Sequence, residues 1–291
     1  MKVLITGASG FLGNAVVAIL KASGIDFCII GRNNKSGHTN FFEVDLLTHY
    51  DYTGLLSAYQ PTHLIHLAWY VEHGKYWSAY ENLEWTNASY RLLDSFYKFG
   101  GKHAVVAGTC AEYDWQYGYF KENLTPLHPT TLYGMSKDNT RRTLELVASQ
   151  YGAKLSWGRV FFPYGIDEPP TRLIPSLFQV FKGQKTPFGV NATAYRDLLH
   201  VSDVAQAFIR CLEADYHGVI NICSGNPVQI EQLVQQIAYI CNQSPEAVLS
   251  IKSALRNDPQ FLIGDNTILK SLGWKQNVCL NDGFSHYLSK Y

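Results

Sequence analysis

The chain lacks both a net charge and a long apolar run. Its 24 Lys and Arg residues balance 24 Asp and Glu residues, which argues against a general binder of nucleic acid or of anionic membranes. No apolar run approaches the ~18 residues that a membrane span requires, and the N-terminus has no cationic, apolar leader. We therefore expect a cytoplasmic protein with neither a nucleic-acid nor a membrane partner.

Cysteine is sparse and scattered. The six cysteines form no CxxC pair and no metal-like group with histidine, so we expect reduced thiols and no metal site. Charged residues are also few, at 16% against 46% apolar residues. This balance predicts a globular chain with a sizeable core and excludes a disordered one.

Apolar runs alternate with helical periodicity through the first part of the chain. We predict strands at Lys2–Thr6, Phe27–Ile30, Phe41–Val44, His63–Leu67, His103–Ala107 and Leu155–Val160. We predict helices at Asn14–Ser23, Tyr52–Tyr59, Tyr80–Phe99 and Thr131–Tyr151. The alternation predicts βαβ units and a parallel sheet that is covered on both faces.

The rhythm changes after about residue 162. Phe162–Pro175 and Gly183–Tyr195 have the composition of irregular chain, Ser202–Leu212 and Ile230–Asn242 that of helices, and Val219–Ile222 that of a strand. We interpret this part as a smaller second domain whose chain partly returns to the first.

Glycines mark the turn between the first strand and the first helix. The segment Thr6–Gly13 reads TGASGFLG. Glycines at such a turn let backbone N–H groups approach a pyrophosphate, and the helix N-terminus adds a favourable dipole. The alternative is a purely structural turn. The pattern predicts dinucleotide binding by Gly7, Ser9, Gly10, Phe11, Leu12 and Gly13.

The end of the second strand bears on which dinucleotide would bind. NAD binders usually place Asp or Glu there for the ribose 2′-OH, whereas this chain has Arg32 and Asn33. A guanidinium can pair with a 2′-phosphate, which predicts NADP(H); a solvated loop arginine is the alternative. Asp45, with Leu46 beside it, is expected near the adenine, and a turn residue is the alternative for Asp45.

A tyrosine and a lysine lie four residues apart on a predicted helix. Tyr133 and Lys137 would share one face of that helix. Two charges ~4 Å apart interact by ~4 kcal/mol at an effective dielectric constant of ~20. That interaction could lower the pKa of the phenol from ~10 to ~7. The pair predicts a proton donor active near neutral pH, although Tyr-x-x-x-Lys alone is common on helices.

Several further segments accompany the glycine loop and this pair. They are His66-Leu67-Ala68, Gly108-Thr109 ahead of Tyr113, Pro129, Arg159 with Pro163-Tyr164-Gly165, Arg172-Leu173-Ile174-Pro175, Arg196 to Val201, and Asp265 with Leu272-Gly273-Trp274. The combination resembles the extended short-chain dehydrogenase/reductase family, and within it the enzymes that act on nucleotide sugars. The resemblance covers nearly the whole chain.

The resemblance implies a catalytic triad of Thr109, Tyr133 and Lys137. In this family the tyrosine is the general acid/base, the lysine lowers its pKa and holds the nicotinamide ribose, and the threonine hydrogen-bonds the reacting carbonyl. The residues that would contact the cofactor further along the chain are Leu67, Ala68 and Phe161.

The resemblance also implies a substrate site and an architecture. Arg196 would grip the diphosphate of a nucleotide sugar with help from Arg172, each with a surface ion pair as the alternative, and Cys110 and Ala111 would border the sugar. The expected fold is a doubly wound parallel Rossmann sheet with a smaller C-terminal α/β substrate domain. The Rossmann domain would comprise residues 1–162 and about 197–223, and the substrate domain about 163–196 and 224–291. A homodimer is expected.

Departures from the family patterns choose between reactions. The 4,6-dehydratases place Asp-Glu after the threonine, but this chain has Cys110 and Ala111; Glu112 is one position late and, on a strand-like exit, should point away. The 3,5-epimerase/reductases use a cysteine and a histidine where this chain has Ala111 and Arg172. The 4-epimerases hold NAD tightly, which fits poorly with Arg32.

What is left is simple carbonyl reduction. The resemblance then implies that NADPH reduces the C4 ketone of a nucleotide-linked 4-keto-6-deoxy or dideoxy hexose, in bacterial surface-polysaccharide synthesis. The chain looks most similar to 4-ketoreductases of the CDP-abequose and CDP-paratose type. Three alternatives stay open: a nucleotide-sugar 4-epimerase with tightly bound NAD, a reductase of a ketone that carries no nucleotide, and a non-enzymatic NADP(H)-sensing module.

Overall fold

The computed structural model describes residues 1–34, 37–253 and 258–291. Its strands are β1 (Lys2–Thr6), β2 (Asp26–Gly31), β3 (Phe41–Glu43), β4 (His63–His66), β5 (His103–Thr109), β6 (Tyr119–Phe120), β7 (Lys154–Val160), β8 (Phe162–Tyr164), β9 (Tyr195–Arg196), β10 (Leu198–His200), β11 (Gly218–Ile222), β12 (Val228–Gln229) and β13 (Phe261–Gly264). Its helices are α1 (Phe11–Ala22), α2 (Thr53–Tyr59), α3 (Glu81–Lys98), α4 (Leu132–Gln150), α5 (Leu173–Phe181), α6 (Val201–Glu213), α7 (Ile230–Ile240), α8 (Glu246–Leu249), α9 (Thr267–Ser271) and α10 (Leu280–Lys290).

Seven of the described strands form one parallel sheet in the order β3-β2-β1-β4-β5-β7-β11. The direction in which the strands are added reverses between β1 and β4. In open α/β sheets, such a reversal opens a crevice at the carboxyl ends of the strands, where ligands bind. The predicted fold class, a doubly wound parallel sheet, is confirmed.

Both faces of the sheet are buried, as the continuous apolar strands predicted. On β1, Val3 and Ile5 face one hydrophobic cluster that includes α1 and α6, while Leu4 faces a second cluster beneath α3 and α4. All three side chains are completely buried. Successive side chains of a strand point to opposite faces, so one strand contributes to two cores. The two clusters thereby hold α1 and α6 on one face of the sheet and α3 and α4 on the other.

A third hydrophobic cluster lies outside the large sheet. It is built mainly by α5, α7 and α10, through side chains such as Phe178, Leu233 and Phe284. Meanwhile α6 and β11 return to the first cluster and to the large sheet. This distribution is compatible with the predicted two-domain division, whose boundaries stay a prediction.

The segment predicted to be irregular between Phe162 and Pro175 contains regular structure. Phe162–Tyr164 is β8, which pairs with β10, and α5 begins at Leu173 with Pro175 in its first turn. A proline is tolerated there because an N–H in the first turn has no intrahelical acceptor. The prediction of irregular chain was therefore wrong at the start of α5, where a proline is compatible with a helix. No described helix is long and apolar enough to span a membrane.

Two buried histidines link strands to their surroundings. His66 pairs through Nδ1 with Thr6 Oγ1 at 2.7 Å and through Nε2 with Ser89 Oγ at 2.9 Å. His103 pairs through Nε2 with Ser156 Oγ at 2.8 Å. Burial lowers the pKa of His66 to about 3 and that of His103 to about 4. Both imidazoles are therefore neutral in the folded protein at neutral pH.

This burial predicts acid sensitivity of the fold. Below about pH 6.5 the unfolded chain protonates these histidines while the folded protein does not, so each lowers the free energy of unfolding by about 1.4 kcal/mol per pH unit. We expect His66→Asn to remove about one histidine's share of that dependence. Urea unfolding of both proteins between pH 6.5 and pH 4.5 measures the difference. Equal pH slopes would contradict the assignment.

Candidate active site

In the glycine turn after β1, the backbone lies close to the start of α1 and to the segment that follows β4. Gly7 has a φ of +72°, and a Cβ added there would lie 2.7 Å from the Ala68 nitrogen. A Cβ on Gly13 would lie 2.0 Å from the Gly7 carbonyl oxygen. No side chain caps the N-terminus of α1, where Gly10 stands. The turn therefore brings the backbone N–H groups of the helix start to the crevice between β1 and β4.

A cavity of about 690 Å³ extends along the carboxyl ends of the strands from this turn. Every residue predicted to contact the cofactor lines it. These are Gly7, Ser9, Gly10, Phe11, Leu12, Gly13, Arg32, Asn33, Asp45, Leu46, Leu67, Ala68, Tyr133, Lys137 and Phe161. Thr109 and Arg172 line it as well. We call it the main cavity. The glycines at its start fit a dinucleotide, because side chains at these positions would occupy the space that the pyrophosphate needs.

The residues predicted to contact the adenosine half lie together in the main cavity. Arg32 is exposed and lies beside Asn33, directly after β2. Asp45 also faces the cavity, and its Oδ1 accepts a hydrogen bond of 3.0 Å from the Leu47 N–H. Asp45 is thus a turn residue in addition to a cavity residue, so the two sequence interpretations are compatible.

Tyr133 is enclosed by aromatic rings. The Tyr76 ring is 4.8 Å away and the Trp77 ring 5.9 Å away, each edge-on, and the Tyr133 N–H donates to the Trp77 carbonyl at 3.1 Å. Burial raises the pKa of Tyr133 well above its usual range, and a side-chain hydrogen bond with Thr109 acts in the opposite direction. The phenol is therefore protonated at neutral pH in this arrangement.

Lys137 does not lower the pKa of that phenol as predicted. Its Nζ donates to the Ala107 carbonyl oxygen at 2.9 Å and lies 3.6 Å from the centre of the Trp69 ring. Burial lowers the pKa of Lys137 to about 7. The predicted lowering of the phenol pKa was wrong because it neglected desolvation, which here dominates the pKa of both groups.

Thr109 is the last residue of β5 and starts a short 3₁₀ turn, Cys110–Glu112. Its Oγ1 accepts a hydrogen bond from the Ala111 N–H at 3.2 Å, and Glu112 Oε1 accepts one from the Thr109 N–H at 2.8 Å. The strand-like exit predicted here is wrong, because this reciprocal cap folds the chain into a turn.

Glu112 is completely buried, and protein groups occupy both of its oxygens. Oε1 also accepts from Trp157 Nε1 at 2.8 Å, and Oε2 accepts from Arg159 Nε at 2.7 Å. Glu112 thus supports Thr109 from behind, a role that the sequence interpretation missed. The available signal was the Thr-x-x-Glu spacing, which is a capping box.

The predicted substrate residues are not all brought together. Arg172 lines the main cavity, with its guanidinium 5.7 Å from the Phe11 ring and 3.4 Å from a Glu168 oxygen. Ala111 lines a second cavity of about 610 Å³. Cys110 packs in a small apolar cluster, where burial raises the pKa of its thiol to about 12.

Arg196 does not line the main cavity. It is buried, and its Nη2 pairs with Asp258 Oδ2 at 2.7 Å while its Nη1 donates to the Tyr195 carbonyl at 2.8 Å. An ion pair is therefore present, but Arg196 is buried in it, whereas the alternative interpretation of the sequence was an ion pair at the surface. No group of three or more His, Cys, Asp or Glu side chains able to hold a metal ion occurs in the described part of the chain.

Residues 3–223 match the model of the NAD dependent epimerase/dehydratase family. The chain belongs to this family. The match covers the glycine turn, the three triad positions and the return of the chain through α6 and β11. This agrees with the resemblance inferred from the motifs.

Relatives within the family have different activities. A UDP-glucose 4-epimerase of Corynebacterium glutamicum is 27% identical over 94% of this chain and 90% of its own length. A dTDP-4-dehydro-6-deoxyglucose reductase of Escherichia coli is 24% identical over 97% and 94%. The structure of a Thermus thermophilus UDP-glucose 4-epimerase in complex with NAD superposes with a TM-score of 0.82, at 23% identity, over 99% and 98% of the chains. These relatives leave the reaction open.

The buried Glu112 pair generates a stability prediction. Glu112→Ala leaves the Arg159 guanidinium buried without its counter-ion, which we expect to cost about 3–5 kcal/mol. Glu112→Gln also removes the charge but keeps one hydrogen-bond acceptor in the same place, so it should cost less. Urea unfolding at pH 7 compares the three proteins. An Ala variant as stable as the parent protein would show that Glu112 does not compensate Arg159.

Proposed function

We propose that this protein is an NADPH-dependent 4-ketoreductase of nucleotide-linked 4-keto-6-deoxy or dideoxy hexoses. The observation that carries the proposal is the convergence of Thr109, Tyr133 and Lys137 on the cavity that begins at the glycine turn. Both oxygens of Glu112 are engaged behind Thr109, so it does not offer the acid or base that dehydration requires. The E. coli relative that reduces a dTDP-linked 4-keto sugar adds support.

The mechanism divides between cofactor and protein. A bound nicotinamide supplies the hydride that reaches C4 of the sugar. Tyr133 donates a proton to the carbonyl oxygen as it becomes an alcohol, and Thr109 hydrogen-bonds the same oxygen. The raised pKa of Tyr133 suits this direction of reaction, since it keeps the phenol protonated before transfer. Lys137 holds the ribose of the nicotinamide.

NADP(H) preference is proposed from the end of β2. Arg32 and Asn33 line the main cavity directly after Gly31, where NAD binders usually carry a carboxylate. A guanidinium there pairs with the 2′-phosphate of NADPH. The relatives with NAD in their structures make cofactor choice the property that most needs measurement.

The substrate would lie beyond the triad, towards the second cavity. Arg172, which lines the main cavity, would contact a phosphate of the substrate. The guanidinium of Arg196 pairs with Asp258, so Arg196 would have to bind a diphosphate and Asp258 at the same time. Cys110 and Ala111 lie in the turn that follows Thr109 and would border the sugar. In this proposal residues 163–196 and 224–291 form the substrate domain.

We also propose a cytoplasmic homodimer. Helices α3 and α4 pack side by side and carry exposed apolar side chains, among them Leu83 and Leu146. Burial of such side chains against a second copy would remove apolar surface from water. These are the helices through which family members dimerise, as the resemblance implies.

A nucleotide-sugar 4-epimerase is the second candidate. It is favoured by the C. glutamicum relative, whose 27% identity extends over nearly the whole chain. An epimerase would keep NAD bound through turnover and consume none. A sensing module is disfavoured by the triad, since cofactor binding alone needs no proton donor.

The test follows nicotinamide absorbance with NADPH and then with NADH. The substrates are nucleotide 4-keto-6-deoxy sugars, generated in the same tube by 4,6-dehydratases, with CDP, dTDP, GDP and UDP as the nucleotides. Sugar-dependent oxidation that favours NADPH is expected. A changed sugar without cofactor oxidation would transfer the assignment to the epimerase.

Removal of the phenol hydroxyl tests the proposed proton donor. Tyr133→Phe is expected to lower turnover about 10²-fold or more, the usual contribution of a general acid, while NADPH binding is retained. Stopped-flow turnover and a fluorescence titration with NADPH measure the two properties. Turnover equal to that of the parent enzyme would exclude Tyr133 as the donor.

Cofactor preference is tested at Arg32. Arg32→Ala is expected to raise the KM for NADPH about 10-fold or more, because a charge-assisted hydrogen bond to the 2′-phosphate is lost. The KM for NADH should change little, since NADH lacks that phosphate. Parallel kinetics with both cofactors make the comparison. An equal effect on both would mean that Arg32 does not recognise the 2′-phosphate.

A further inference from the structure

Lys137 is a buried cation without a carboxylate beside it. Its side chain is 3% exposed, and among the ion pairs formed by the described residues none includes it. The Ala107 carbonyl accepts one of its three possible hydrogen bonds at 2.9 Å. Burial of a charge with so little compensation is unfavourable, so another group has to stabilise the ammonium.

The indole of Trp69 is the group in contact with it. The Lys137 Nζ lies 3.6 Å from the centre of the Trp69 ring. The face of an aromatic ring carries negative electrostatic potential, and tryptophan attracts cations more strongly than tyrosine or phenylalanine does. This attraction strengthens where water is excluded. Trp69 therefore takes the position that a counter-ion would otherwise occupy.

The Trp69 ring is itself held in place. Its Nε1 donates to Asn82 Oδ1 at 2.8 Å. The Asn82 amide nitrogen donates to the Tyr76 and Ala79 carbonyls, both at 2.8 Å, and Asn82 is completely buried. Since two carbonyls bind the amide nitrogen, the amide oxygen must face the indole. The chain of contacts runs from the start of α3 through Asn82 and Trp69 to Lys137.

We propose that Trp69 is a positioning residue that holds the Lys137 ammonium, charged, against the cofactor cavity. The function of this charge rests on the proposed reductase, in which Lys137 holds the nicotinamide ribose. The contact itself does not depend on that function. Trp69 lies in the cavity lining next to Lys137, so loss of the ring would free the ammonium and weaken its protonation.

Three other titratable groups are relevant to the charge of Lys137. Glu112, in the turn after β5, raises the pKa of Lys137. His66, at the end of β4, is neutral because burial lowers its pKa to about 3. Tyr133, on the same helix, is protonated. Substitution of Trp69 leaves these three groups unchanged, so a shift in titration reports on the ring.

The first measurement needs no substrate. Lys137 is titrated by NMR in cofactor-free protein with isotopically labelled lysine, and its signal is identified by its loss in Lys137→Arg. We expect the pKa of Lys137 to fall by about one unit in Trp69→Leu and by less in Trp69→Phe, which retains a weaker aromatic face. Trp274→Phe is the control, since it alters a buried tryptophan that bonds the Asp203 carbonyl in a different cluster.

The second measurement is the pH dependence of turnover. Because the ribose-binding form of Lys137 is charged, the alkaline limit of kcat/KM should move to lower pH in the same order, Leu further than Phe. The proposal would be overturned if both Trp69 variants had the same Lys137 pKa and the same alkaline limit of kcat/KM as the parent enzyme.

The two readouts separate the proposals. A lowered Lys137 pKa without any sugar reduction would support the role of Trp69 and reject the reductase. If Trp69→Leu does not fold, Trp69→Phe decides: a pKa of Lys137 equal to that in the parent and in Trp274→Phe would overturn the proposal.

Discussion

The close packing of β1 against α1 is the constraint on which the site depends. A Cβ on Gly13 would lie 2.0 Å from the Gly7 carbonyl oxygen, and one on Gly7 would lie 2.7 Å from the Ala68 nitrogen. Three backbone segments therefore meet without side chains between them. This contact brings the start of α1 to the gap between β1 and β4, where the strand order reverses. The main cavity begins there, and the ends of β4, β5 and β7 extend it.

Desolvation sets the chemistry at the other end of the cavity. Burial raises the pKa of Tyr133 and lowers that of Lys137, so in each group it favours the neutral form. For Lys137 the charge of Glu112 opposes this effect, and for Tyr133 a hydrogen bond with Thr109 does. Trp69 and the Ala107 carbonyl face the ammonium, and Glu112 supports Thr109 from within the core. Reduction of a carbonyl needs a proton donor, and the protonated phenol of Tyr133 is the form that can donate.

Local patterns predicted the sheet and the cofactor residues well. Strands such as β1 and β4 are apolar and bounded by breakers, and the residues at their carboxyl ends must meet because parallel strands share one direction. The features that were missed depend on context. Pro175 concealed the start of α5, since only its position in the first turn makes proline acceptable. The partner of Arg196 is Asp258, and no local spacing connects two positions so distant in sequence. The pKa of the Tyr133 phenol was predicted wrongly because spacing on a helix carries no information about desolvation.

The central claim is net hydride transfer to C4 of a nucleotide-linked sugar from a dissociable cofactor. Its most direct test uses NADPH that carries deuterium in place of the hydride hydrogen on C4 of the nicotinamide ring. After turnover, NMR and mass spectrometry analyse the product sugar. The account predicts one deuterium at C4 of the sugar for each NADPH oxidised. A product altered at C4 that carries no deuterium, with the cofactor unconsumed, would contradict it.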